Sequence, residues 1–331
     1  MTSISNSEGT TTERETRFFN RLLTIIRANS SLIALVLLWL GLSFASPYFF
    51  TVNNILNIFL QSSNIAIMAA GMTLVIIAAE IDLSIGAVEA LAGSVAAVLI
   101  INLGAPTFLG LLGGIAIGMF AGSISGFFTA RFGMPSFVTT LGMLSIARGA
   151  ALLMTNGRAV YGLPDAFKFI GTGKIWIIPT PVILAAIILL VAHIILRYTR
   201  FGMNIYAVGS NVQAAILSGI NPARIRFAVL TISGFCAGLG GLILASRLNS
   251  GNGTVGAADN LDVIAAVVIG GTSLFGGIGS IWGTIIGVLL VGSIRNGLNL
   301  LAVSAFWQQV AIGVLILLAV FVDYVTKSDR R

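Results

Sequence analysis

Three carboxylates sit beside long apolar runs: Glu80, Asp82 and Glu89. A charge there is costly unless it faces water, a cavity or a partner. The chemistry open to such groups is carriage of a proton or cation, or hydrogen bonding to a polar solute. The segment Ala79-Glu80-Ile81-Asp82-Leu83-Ser84-Ile85-Gly86 reads as a broken-helix element that lines or gates a translocation path. A plainer role is also open, in which Asp82 or Ser84 caps the helix that follows. Both roles can hold. Glu89 lies further on, inside an apolar stretch, and has no such plain role. Asn57, Gln61, Asn64, Asn296, Asn299, Gln308 and Gln309 also fall in apolar stretches. Amides facing one cavity would hydrogen-bond a neutral polyhydroxylated solute, and amides between helices would bond one another. Asp262, Arg148 and Arg295 lie in or near such stretches, and the sequence leaves any pairing among them open.

Other motifs exclude chemistry. Gly270-Gly271-Thr272-Ser273-Leu274-Phe275-Gly276-Gly277-Ile278-Gly279 suggests a tight re-entry or a close backbone crossing. It is not a dinucleotide fingerprint, because Trp282 stands where the third glycine should be. Gly171-Thr172-Gly173-Lys174 resembles the end of a phosphate loop, but Lys168 replaces the upstream glycine and Ile175 follows the lysine. The chain is therefore expected to bind no ATP and no other cofactor of its own, and no metal. Cys236 is the one cysteine, so no disulfide can form within the chain. His193 lies at the end of an apolar segment and reads as a membrane-boundary residue.

The elements that must position these groups are membrane helices. The chain is 57% hydrophobic and 9% charged, with a mean hydropathy of +1.02, where soluble domains carry about 25% charged residues. A span needs roughly 20 apolar residues. Ten helices are predicted, over 31–46, 55–78, 84–102, 107–130, 136–155, 180–197, 227–246, 259–275, 279–296 and 302–323. The net charge of +7 is small for a nucleic-acid binder and sits mostly in loops and tails. With a cytoplasmic N-terminus, the inside segments hold Arg14, Arg17, Arg21, Arg27, Arg131, Arg197, Arg200, Arg224, Arg226, Lys327, Arg330 and Arg331, twelve of the eighteen basic residues. That bias places both termini in the cytoplasm. Residues 1–30 read as a disordered cytoplasmic tail with no cleavable signal peptide, 31–326 as the transmembrane domain, and 327–331 as a second cytoplasmic tail.

Gly110, Gly114, Gly118, Gly122 and Gly126 form one stripe on the fourth helix, a surface for close helix packing. A shift of 169 residues lays helices two to five on helices seven to ten. It takes Gly71 to Gly240 and Gly114 to Gly283. A five-helix shift reverses orientation, so it predicts an inverted repeat.

The longest polar interruption runs from Arg197 to Arg226. Asn211 can cap a short helix that Gly219 ends, and Asn221-Pro222 can start the next. A basic, helical loop between apolar segments suggests a docking surface at the cytoplasmic face.

Three segments resemble a bacterial ABC-importer permease of the ribose/xylose type, which serves monosaccharides. They are Ala70–Gly86, Thr199–Ile220 and Asp262–Gly277, and the similarity extends from about Ser31 to Asp323. The resemblance implies an inner-membrane, multi-pass subunit of about ten helices that pairs with a second permease subunit in a homodimer or heterodimer. It also implies a separate cytoplasmic ATP-binding subunit and a periplasmic or lipid-anchored sugar-binding protein. By the same match the loop is the coupling loop, with Gln213, Ala214, Ala215 and Gly219 in the ATPase groove. Asn211 and Arg224 complete the candidate coupling set. The candidate path set is Asn57, Gln61, Asn64, Glu80, Asp82, Ser84, Asn296 and Asn299. One departure stands out. Many members have Gly-Gly before Ile-Asp-Leu-Ser, where this chain has Ala79-Glu80. The rival readings are an ion-coupled secondary transporter using Glu80, Asp82 or Glu89, and a structural membrane scaffold.

Overall fold

A computed structural model of the protein describes residues 30–328. Of the two predicted tails, all but Ser30, Lys327 and Ser328 lie outside the described residues. The described chain is predominantly helical. Its principal helices are α1 (Ser30–Ala45), α2 (Val52–Ile77), α3 (Ile85–Ala97), α4 (Thr107–Phe132), α5 (Ser136–Met154), α7 (Thr180–Tyr198), α10 (Pro222–Leu248), α11 (Asp259–Ile269), α12 (Ile281–Leu300) and α13 (Ala305–Ser328). A wider π-helical turn, Val98–Asn102, prolongs α3. Shorter helices are α6 (Asp165–Thr172), α8 (Arg200–Ser210) and α9 (Val212–Leu217). Two-residue strands close the connections: β1 (Val160–Tyr161) pairs antiparallel with β4 (Ser250–Gly251), and β2 (Lys174–Ile175) with β3 (Ile178–Pro179).

All ten expected helices form, close to the predicted bounds. The largest difference is α11, expected over 259–275. Gly271 takes a φ of +90° and the helix stops at Ile269. Its 11 residues span about 16 Å, half of a roughly 30 Å hydrocarbon core. Seven described helices are long and apolar enough to cross a membrane. The fold is thus an all-α polytopic membrane protein.

α2 and α10 are the central helices, with 26 and 27 residues, packed on each other and each against several more. Their crossing is nearly two-fold symmetric. A Cβ on Gly71 would lie 3.0 Å from Ser233 Cα, and one on Gly240 would lie 3.0 Å from Asn64 Oδ1. The 169-residue shift takes Gly71 to Gly240 and Asn64 to Ser233, so the two contacts are equivalents. The wider packing follows the same exchange. α10 packs on α3 and α4 as α2 packs on α11 and α12, and α3 packs on α4 and α5 as α11 packs on α12 and α13. α1 and α7 break the pattern: α1 lies against α12, whereas α7 lies against α2.

The α4 glycine stripe does the packing expected of it. Gly110 meets the end of α3, Gly114 meets both α3 and α10, and Gly118, Gly122 and Gly126 meet α10. At the tightest part of the crossing, a Cβ on Gly118 would stand 2.9 Å from Gly238 Cα and 3.0 Å from Gly238 N. Both helices meet there backbone to backbone, so no side chain can yield. Gly118→Leu is therefore expected to abolish recovery of monodisperse protein from detergent extracts. Gly142→Leu is expected to leave it unchanged, because a Cβ on Gly142 meets nothing within 4 Å.

Candidate functional site

The loop after α7 is folded throughout. Thr199 caps α8, its side chain accepting from Gly202 N at 3.1 Å. This helix was not expected. Its signal is Thr199 followed by Phe201, Ile205 and Val208, a helical spacing, and Ile205 and Val208 are fully buried. Asn211 then caps α9 as expected, accepting from Ala214 N at 3.0 Å. Gly219 ends it with a φ of +79°. Asn221 accepts from Arg224 N at 3.3 Å and Pro222 opens α10. Two caps and a left-handed glycine thus fix a six-residue helix that is too short to persist alone.

The facing of α9 corrects one expectation. Ala215 is 3% exposed and packs into this chain's own core with Val212 and Ile220 against it. It cannot sit in a partner's groove. The outward surface is Gln213, Ala214, Ile216, Leu217, Ser218 and Gly219, with Leu217 at 89% exposure. Arg224 and the cap Asn211 are also exposed. Sequence alone pointed to small residues here, whereas the exposed apolar pair Ile216 and Leu217 is the more distinctive feature.

This loop joins the bundle by backbone contact. Gly277 N donates to Ile77 O at 2.8 Å, and Tyr206 on α8 donates its hydroxyl to Gly279 O at 2.8 Å. A Cβ on Gly209 would overlap Ile77 O and stand 2.8 Å from Gly277 N. Gly276 and Gly277 have φ of +81° and +74°, and a Cβ on Gly276 would lie 2.8 Å from Gly209 O. The glycine-rich 270–279 segment is the close crossing that its composition suggested. It wedges between the end of α8 and the end of α2.

At this same end lies the acidic segment. Ala79 turns the chain with a φ of +61°. Glu80 follows, its carboxylate oxygen 2.6 Å from Arg226 Nε, with its side chain 8% exposed. Burial holds the Glu80 carboxyl above the usual carboxylate range, opposed by a hydrogen bond from Ser136 and by the Arg226 charge. Asp82 is satisfied locally. It accepts from Ser84 N at 2.8 Å and Ser84 Oγ at 2.6 Å, and from Ser233 Oγ on α10 at 2.7 Å. Ser84 itself makes no side-chain cap to α3. Ser136 and Thr140 on α5 hold the strand between, accepting from Ile81 N at 2.9 Å and Leu83 N at 3.1 Å.

Glu89 has partners after all. Asn64 Nδ2 donates to it at 2.6 Å, and Asp259 at the start of α11 stands beside it. Arg148 donates to the carbonyls of Gly253 and Val255, at 2.6 and 2.5 Å. Arg295 pairs with Asp262 at 2.6 Å. These groups gather around the start of α11, where Gly86 meets the backbone of Gly256 and Asn260.

The candidate path residues do not share one cavity. Asn296 is buried and exchanges hydrogen bonds with Asn54, at 2.8 and 3.0 Å. Asn299 accepts from Gln308 at 2.7 Å, and Asn57 from Gln61 at 3.1 Å. Those six amides lie in the first half of α2, toward the end of α12 and at the start of α13, Asn64 lies at mid-helix, and Glu80, Asp82 and Ser84 lie at the loop end. Of the path set, Asn57 and Asn299 are exposed and Gln61 partly so, while Asn64, Glu80, Asp82, Ser84 and Asn296 are buried. Among the described residues no group of acids, histidines and cysteine is arranged to hold a metal.

A family profile described as the permease component of branched-chain amino acid transport systems matches residues 54–320. The ribose import permease protein RbsC of Haemophilus influenzae is 44% identical over 297 residues, covering 88% of this chain and 92% of that protein. RbsC of Bacillus subtilis is 38% identical, over 88% of this chain and 91% of its own. The chain belongs to the ABC-importer permease family, of the ribose/xylose type. The xylose transport system permease protein XylH of Escherichia coli is 33% identical, covering 84% of this chain and 86% of XylH. No solved structure matches the chain. The permease is thus a multi-pass protein of the inner membrane. Members of this family are transport subunits and not enzymes, and an ion-coupled reading is not favoured. Its candidate carriers are engaged in any case, Glu80 by Arg226, Asp82 by three donors and Glu89 by Asn64.

Proposed function

We propose that this permease imports a monosaccharide, a ribose-like pentose, a hexose or a related polyol, as one of two permease subunits in a homodimer or heterodimer. A cytoplasmic ATP-binding subunit docks on α9, and a periplasmic or lipid-anchored sugar-binding protein delivers the solute at the opposite face. The carrying observation is the exposed apolar tip of α9 at Ile216 and Leu217 on an otherwise capped and anchored helix. An exposed Leu beside small residues at a membrane face suits helix-in-groove docking. Both termini are cytoplasmic on this reading, and nothing here binds a cofactor, since the ATP belongs to the partner. Asn211, Gln213, Ala214, Gly219 and Arg224 shape the docking surface, while Ala215 anchors it from within.

Sugar crosses by alternating access along the subunit interface. Asn57 and Asn299 carry exposed amides and Gln61 a partly exposed one, which can hydrogen-bond hydroxyl groups. Glu80, Asp82 and Ser84 hold the loop end, and Asn64 and Asn296 join helices. The test is uptake of radiolabelled D-ribose and D-xylose into vesicles holding the permease with its co-purified ATPase and the sugar-binding protein. Uptake that needs ATP inside the vesicle is expected. Uptake driven by an ion gradient in the absence of the ATPase would overturn the reading.

A further inference from the structure

Arg226 is the fifth residue of α10 and Ser233 lies seven further on. Seven residues are nearly two helical turns, so both side chains leave the same face of α10. That face grips the α2–α3 connection twice. Arg226 holds Glu80 at 2.6 Å, and Ser233 donates to Asp82 at 2.7 Å. Elsewhere the connection is held by Ser136 and Thr140 of α5 and by Asn260 of α11, which donates to Leu83 O at 3.0 Å. The connection leads directly into α3, which carries Glu89.

The start of α10 is also the exit from the docking helix. Ile220, Asn221 and Pro222 join them with no slack: Ile220 N donates to Ala215 O at 2.9 Å, and Asn221 caps α10. A displacement of α9 therefore moves the first turns of α10. The two grips differ in kind. The serine grip at Asp82 is one neutral donor, and Asp82 keeps two other donors without it. The grip at Glu80 is a charge pair. Breaking it leaves a buried carboxylate with Ser136 alone, and separating buried opposite charges is far more costly than losing one neutral hydrogen bond. The ion pair is the grip that cannot slip.

We propose that Glu80 and Arg226 form the latch that transmits movement of the ATPase-docked α9 to the α2–α3 connection and so to α3. They act as positioning residues, touching neither sugar nor nucleotide. The proposal rests on the docking of an ATPase at α9.

The test is hydrogen exchange by mass spectrometry on the permease–ATPase complex in lipid nanodiscs, without nucleotide and with ATP plus vanadate. Two peptides are followed, 79–86 and 211–221. In the unmodified complex both are expected to change on trapping. In Glu80→Gln and in Arg226→Gln, 211–221 should still respond while the response at 79–86 is lost. The exchanged pair, Glu80→Arg with Arg226→Glu, should recover it, which a mere folding defect would not. An unchanged response at 79–86 in either single variant would overturn the latch. Absence of any response at 211–221 in the unmodified complex would instead remove the docking reading, and the latch with it.

Discussion

Leu217→Asp is expected to leave the permease folded and to abolish its capture of the ATPase. Leu217 is 89% exposed at the tip of α9, so the substitution touches no packing within the chain. Burying a leucine in a partner contributes about 1.5–3 kcal/mol, which alone is roughly ten- to a hundredfold in dissociation constant. An aspartate in an apolar groove adds a desolvation cost on top. Ala215→Asp makes the contrast. Ala215 faces inward at 3% exposure, so a carboxylate there enters the permease's own core and lowers folded yield before docking is reached. Affinity measured in nanodiscs, alongside thermal unfolding of the permease alone, separates the two. A wild-type affinity for Leu217→Asp would mean that the ATPase does not contact α9.

Arg295→Met is expected to lower the stability of the permease strongly. Asp262 pairs with Arg295 at 2.6 Å, and its side chain is 2% exposed. Removing the arginine strands a carboxylate beside Asp259, which already stands against Glu89. Breaking a buried pair this way costs about 3–5 kcal/mol. Replacing both members by apolar residues of similar size should recover most of that loss, because no uncompensated charge is left. The measurement is the unfolding temperature in detergent of Arg295→Met against Arg295→Met with Asp262→Leu. A double variant no more stable than the single one would show that the arginine acts through packing and not through charge.

Legibility in the sequence followed the range of the interactions. The helices were readable because apolar runs and prolines are local signals, and so were the caps at Asn211 and Asn221 and the turn at Gly219. The α4 stripe was readable because residues four apart share a face. The pairings were not. Glu80 with Arg226, Ser233 with Asp82 and Asn54 with Asn296 join residues more than a hundred apart, and only the packing of α2 against α10 and α12 brings them together. The inward facing of Ala215 was hidden for another reason. A six-residue helix is too short to carry a periodic signal, so composition could not tell its buried side from its exposed one. The amides left two roles open, a shared cavity or bonds between helices, and the sequence could not name partners: Asn54, outside the set of seven, takes Asn296, and Glu89 takes Asn64.

The crossing of α2 and α10 places one more group with some care. A Cβ on Gly71 would lie 3.1 Å from both Cβ and Sγ of Cys236, and Cys236 is the chain's one cysteine. Its thiol is therefore sealed by the central pair of helices at their point of near two-fold symmetry. An alkylating reagent reaches it only while those helices part. The protein thus carries its own gauge of core opening, readable as the rate at which one thiol takes up the reagent's mass, with no cysteine introduced and no second thiol to confuse it.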